Sequence, residues 1–149
     1  MPANTTPVFV LTPNRGTDGS GNYGTRLTTA NATRDLSTTT NGGLILSAGA
    51  NGTRVESITF THNAASQTQA SIAAVGRIFI CTSAAAANPR ILSEVALAAV
   101  TPSATAVGQT QTITFSPPLF VPSGAHLWAT ISATQTSGAY DVTVQGGDY

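Results

Sequence analysis

The chain has no lysine: all six basic residues are arginine, six carboxylates balance them, and charged side chains make up only 8% of its 149 residues. A protein that holds nucleic acid by its phosphates needs clustered cations to displace counterions, so this composition argues against an electrostatic nucleic-acid binder. A phosphate-binding P-loop is excluded because its lysine does not exist here. Cysteine is nearly absent too. Cys81 stands alone, and a single thiol cannot close an internal disulfide, which removes the disulfide-stapled scaffolds of small secreted domains. No apolar run approaches the roughly 18 residues of a spanning helix. Met1-Pro2-Ala3-Asn4 lacks the basic start of a secretory signal, and the first apolar stretch, Val8 to Leu11, is too short for its core. These features predict synthesis in a cytoplasm without membrane attachment.

What the chain does contain is apolar and hydroxylated. Scarce charge accompanies disorder when hydrophobic residues are also scarce, but here they reach 41%, so the chain folds. Its length fits one domain. Roughly a quarter of it is Ser or Thr, which predicts a surface solvated by hydroxyls and a near-neutral charge that favours association over repulsion.

The apolar segments are short, rich in Val, Ile, Thr and Phe, and separated by Gly, Pro, Asn and Ser, the punctuation of β-strands. Strands are expected at Val8–Thr12, Gly43–Ser47, Arg54–Thr61, Ser71–Cys81, Ile91–Ala99, Gln111–Phe115, Ala125–Ala133 and Tyr140–Gln145. Such a series predicts an all-β fold, an antiparallel β-sandwich or jelly roll. Tyr140, Val142 and Val144 alternate with Asp141, Thr143 and Gln145, giving one dry and one wet face. Arg77-Ile78-Phe79-Ile80-Cys81 is apolar on both faces, as in a central strand covered on both sides or lying in a subunit contact. Ser116-Pro117-Pro118 and Val121-Pro122-Ser123-Gly124 are expected to be turns, and Ala84–Ala87 either a helical turn or a loop. From Thr12 to Gly43 the chain is mostly Thr, Asn, Gly and Ser, with Tyr23, Leu27 and Leu36 as its large apolar groups. This predicts an extended Thr/Gly/Asn-rich N-terminal arm over residues 1–43 that docks on a neighbour, followed by the β-sandwich domain over 44–149.

The motifs that carry chemistry elsewhere lack their context here. Gly19-Ser20-Gly21-Asn22-Tyr23-Gly24 matches GxGxxG, yet no amphipathic helix follows and no acidic residue stands about 20 positions on. Asp18, Ser20 and Asn22 alternate like the first ligands of a calcium loop, but Tyr23 replaces the turn glycine and Thr29 the bidentate glutamate. Asn4-Thr5-Thr6, Asn31-Ala32-Thr33 and Asn51-Gly52-Thr53 fit the N-glycosylation pattern, as chance allows in so Thr-rich a chain. The parts available for catalysis are His62, His126, Cys81 and the carboxylates Asp18, Asp35, Glu56, Glu94, Asp141 and Asp148, without a GxSxG elbow or a zinc spacing. No catalytic, cofactor-binding or metal residue is therefore assigned. Arg54 with Glu56, and Arg77 with Cys81, share strand faces, and Glu94 lies near Arg90; charges so sparse need partners if buried.

Gly52-Thr53-Arg54-Val55-Glu56-Ser57-Ile58-Thr59-Phe60, Gly76-Arg77-Ile78-Phe79-Ile80, Ile91-Leu92-Ser93-Glu94-Val95, the run Phe120-Val121-Pro122-Ser123-Gly124-Ala125-His126-Leu127-Trp128 and the terminal Gly146-Gly147-Asp148-Tyr149 together resemble small virion-associated proteins of tailed bacteriophages. The resemblance runs from Gly52 to the C-terminus. It implies a non-enzymatic β-sandwich located in the virion, foremost a capsid decoration (cement) protein. Its implied partners are the major capsid protein and further copies of itself, a trimer among them, with no cofactor, nucleic acid or membrane. The arm and the loops at Asn88-Pro89 and Pro117-Pro118 are the expected contact surfaces. A tail, collar or baseplate component is the alternative within the virion. A carbohydrate-binding β-sandwich for host attachment is the alternative from another class, with Trp128, Tyr140 and Tyr149 as candidate stacking platforms.

Overall fold

The computed structural model describes residues 12–17, 21–36, 40–64, 66 and 68–149. Among these residues the chain forms strands and no helix: β1 (Thr12–Asn14), β2 (Thr25–Leu27), β3 (Gly42–Ser47), β4 (Thr53–Asn63), β5 (Ala74–Cys81), β6 (Arg90–Leu97), β7 (Thr110–Val121), β8 (His126–Ile131) and β9 (Ala139–Asp148). They build two antiparallel sheets. One runs β1-β9-β4-β7, with β2 also on β9, and the other runs β3-β8-β5-β6. The pairing is nested: β2 with β9, β3 with β8, β4 with β7 and β5 with β6. A long antiparallel ribbon closed by the β5–β6 turn, then folded so that β4 meets β9 and β5 meets β8, produces this order.

The core follows from the alternation. Ile58 and Phe60 of β4, Ile78 of β5, Leu127, Ala129 and Ile131 of β8, and Tyr140, Val142 and Val144 of β9 join one buried cluster drawn from both sheets. The inward set of β9 is the one its period-two pattern predicts. A second cluster, Leu36, Phe79, Cys81, Ala86 and Trp128, lies on the opposite side of the four-stranded sheet. The doubly apolar β5 is thus explained within one chain: Ile78 faces the first cluster while Phe79 and Cys81 face the second.

Several boundaries differ from the expectation, each for a local reason. Of Val8–Thr12 only Thr12 is described, and it opens β1; Val8 to Leu11 lie outside the described residues. The turn expected at Ser116-Pro117-Pro118 does not end its strand, because β7 continues to Val121. On an edge strand a proline's missing N–H costs no ladder bond, and the β4–β7 register jumps at this point, from Ser57↔Thr114 to Val55↔Leu119. Ser71, expected in a strand, precedes β5; its hydroxyl donates to the Ala98 carbonyl at 3.0 Å. Ala84–Ala87 forms a turn without a helix, with positive φ at Ala86 and Asn88. The Ser83 hydroxyl accepts the N–H groups of Ala85 and Ala87 there.

The Thr/Asn/Gly-rich segment docks on its own chain where it is described. β1 and β2 add to β9, and Leu27 and Leu36 are buried. The Thr25 hydroxyl donates to the Leu44 carbonyl, tying the edge of one sheet to the edge of the other. Gly43 permits this approach, since a Cβ there would collide with the Thr25 side chain. Buried Asn31 holds this segment in place as a strap over the four-stranded sheet: its N–H donates to the Ile131 carbonyl at 2.8 Å, and its side-chain amide donates to the Thr40 carbonyl at 3.0 Å.

Candidate functional site

The strap makes one sheet face closed and leaves the other open. On the closed side Arg77 is 7% exposed, with its Nε 2.9 Å from Glu94 and an Nη donating to the Asn31 carbonyl at 3.2 Å. Arg34, from the strap, meets the other Glu94 oxygen at 2.5 Å. The Arg77 hydrogen bond is the main cause holding the Glu94 carboxyl below its usual range, and Arg34 adds to it.

On the open side β9, β4 and β7 present matched rows: Asp141, Thr61 and Thr110; Thr143, Thr59 and Thr112; Gln145, Ser57 and Thr114. The Thr59 and Thr112 hydroxyls are 2.9 Å apart. Threonine suits such a position because its branched Cβ favours the strand while its hydroxyl faces water. One end of the grid is fixed by Asp141, which accepts from Arg26 Nε at 2.9 Å and from Asn63 at 2.7 Å. Partial burial raises the Asp141 pKa, but the Arg26 and Asn63 bonds outweigh it, so the net shift is downward.

Beside this face, the chain between β1 and β2 brings Arg15 and Tyr23 to the rim. Thr17 bridges to Tyr23 and Gly24, and Gly24, at φ 78°, passes so close to the Val142 carbonyl that a Cβ would clash. Tyr23 is left 77% exposed. A groove of about 430 Å³ lies between Arg15, Tyr23, Ser57, Thr59, Thr143 and Gln145. A neighbouring depression of about 380 Å³, bounded by Asn22, Arg26 and Asp141, shares Tyr23 and Thr143 with it.

The residues that sequence reasoning considered for catalysis are scattered. His62, buried at the far end of β4, stacks edge-on against Tyr140 with ring centroids 5.5 Å apart, and its pKa is lowered by that burial. His126 Nδ1 lies 3.0 Å from the Ser47 hydroxyl, and among the described residues no carboxylate orients the ring. Cys81 is buried, which raises its pKa and leaves it a packing thiol. Asp148 accepts from Asn14 at 2.8 Å and from the Thr53 hydroxyl, tying β1 to β4. Glu56 pairs with Arg54 at 3.3 Å, and Asp35 lies exposed on the strap. Asp18 and Ser20 of the calcium-like run, and Gly19 of the GxGxxG match, lie outside the described residues. Among the described residues no three His, Cys, Asp or Glu side chains converge as metal ligands.

Two of the proposed stacking aromatics are corrected. Trp128 is covered by the second cluster, and Tyr140 is fully buried, so neither offers a ring to a ligand. Tyr149 lies against Phe120, centroids 5.9 Å apart, at the other end of the open sheet. Tyr23 is an exposed aromatic that sequence reasoning passed over as a stacking platform, because a lone tyrosine in a polar stretch carries no periodicity. Comparison of the chain with known protein families, characterised proteins and solved structures finds no match.

Proposed function

We propose that this chain is a non-enzymatic structural protein of a phage virion, a decoration protein that binds the assembled head across neighbouring capsid subunits. The observation that carries the reading is the nested strand order, which supports a jelly-roll sandwich, an architecture that viral shell proteins use. The strand-and-turn patterns described above point the same way.

The turn at Asn88-Pro89 leads into an edge strand where Ile91 and Leu92 stay 43% and 37% exposed. Exposed apolar side chains on a strand edge fit addition to a partner surface better than life in solution. Pro117 and Pro118, exposed at the register jump of β7, offer a second surface for such contact. The arm is a weaker contact than its composition implied, because β1, β2 and Leu36 are engaged within the chain. Binding across several capsid chains would stabilise the shell by linkage, since a ligand of the assembled form alone shifts the assembly equilibrium, and self-association on the shell would add avidity.

The test is to separate a producing lysate into filled heads, empty heads and free tails, and to quantify this chain against the major capsid protein in each. The expected outcome is a fixed, simple ratio confined to heads. Enrichment in tails at low copy would replace the reading with a tail or baseplate role, and absence from every particle would overturn both.

A further inference from the structure

We infer that the groove beside Tyr23 is a saccharide-binding site with a preference for sugars that carry a carboxylate. Three observations carry it. Tyr23 exposes a ring held by a backbone bridged to Thr17, so its contact area is offered at little cost in backbone ordering. Such a ring matches the C–H face of a pyranose. Below it, Ser57, Thr143 and Gln145 present side-chain donors and acceptors that make no hydrogen bond within the described chain, next to Thr59. Sugar hydroxyls need this uncharged, two-way hydrogen bonding.

The third observation is Arg15. Arg26, Arg34, Arg54 and Arg77 each pair with a carboxylate. Arg15 and Arg90 have no ion-pair partner among the described residues, and of the two Arg15 stands at the groove rim. A guanidinium fork free at the edge of a sugar-sized cleft fits a carboxylate in bidentate geometry. The second depression shares Tyr23 and Thr143 with the first, so a chain of sugars can place adjacent rings on either side of one tyrosine. The site lies on the open face of the β9–β4 sheet, away from Ile91 and Leu92, which are on β6 of the other sheet.

The experiment is an amide chemical-shift titration of the full chain with three probes: tetragalacturonate, cellotetraose and acetate. Tetragalacturonate should give saturable shifts confined to Tyr23, Gly24, Ser57, Thr143 and Gln145, with a Kd on the order of 1 mM or tighter. Cellotetraose should shift the same amides at several-fold weaker affinity. Tyr23→Ala should weaken both sugars about tenfold, Tyr23→Phe should restore them, and Arg15→Gln should abolish the preference for the acidic sugar while leaving cellotetraose unchanged. The inference is overturned if neither sugar shifts these amides, if acetate reproduces the tetragalacturonate response, or if Tyr23→Ala binds as the parent does. Tyr23 is solvent-exposed, so a folded Tyr23→Ala spectrum outside the groove is the expected control.

Discussion

The two sheets use the same inner logic and opposite outer logic. Inward, both contribute Val, Ile, Leu and aromatic residues to one cluster. Outward, the β3-β8-β5-β6 sheet presents Arg77, Phe79, Cys81 and Trp128, and the chain's own strap lies over them. The β9–β4–β7 face presents Ser57, Thr59, Thr61, Thr112 and Thr143, and among the described residues nothing crosses its centre. Outward residue type therefore decides where the N-terminal segment docks: it covers the face that loses most by meeting water, and skirts the face that hydroxyls already solvate.

That contrast breaks first at the strap. Leu36→Ala removes the apolar group that the strap lays on Phe79 and Trp128, and a buried leucine truncation costs about 2–5 kcal/mol. Phe79→Ala, from beneath, should cost about 3–5 kcal/mol. Urea unfolding measures both, and Trp128 emission should shift to the red in native buffer for Leu36→Ala as its cover loosens. A Leu36→Ala midpoint equal to that of the parent would mean that the strap contributes no cover.

Much of this arrangement was legible in the sequence, and the misses have two causes. The alternation in Tyr140–Gln145 and the two-sided apolar run Arg77–Cys81 marked the inner face and a covered strand, because burial acts on every second residue of a regular element. The strap was invisible because its anchors are single residues, Leu27, Asn31 and Leu36, set among polar neighbours with no period to detect. β1 and β2 are three residues each and hold by pairing with β9, a contact distant in sequence. The prolines misled in the opposite direction, since their meaning depends on whether the strand is an edge. The groove combines both difficulties: its floor was predictable from Thr143 and Gln145 alternating outward, while its rim depends on where Arg15 and Tyr23 are carried by the fold.

A second, smaller break lies in the charges. Glu94 receives Arg77 and Arg34 on the closed side, so its carboxyl titrates below the ordinary value of 4.5 in the folded chain. A depressed carboxyl contributes stability above the unfolded pKa and loses it as pH falls through the folded one. Glu94→Gln should therefore lower the urea midpoint at pH 7 and converge on the parent in acid, below the ordinary glutamate range. A difference that persists unchanged at low pH would assign the effect to packing instead of charge.

The smallest effect belongs to the open face, where the prediction runs against the habit of treating exposed hydroxyls as structural. Thr59→Val and Thr143→Val keep the branched Cβ and hence the strand preference, and they bury nothing new in the monomer. The Thr59–Thr112 contact at 2.9 Å faces water, which replaces it readily. Each variant should lie within about 0.5 kcal/mol of the parent by urea unfolding. Their consequences should appear elsewhere. The doubly substituted chain should be less soluble, since it turns a hydroxyl row into an exposed apolar stripe. Loss of the Thr143 hydroxyl at the shared wall of the two depressions should also weaken tetragalacturonate binding. A stability loss as large as that of Leu36→Ala would mean that the open face is part of the scaffold, and the contrast between the two faces would fail.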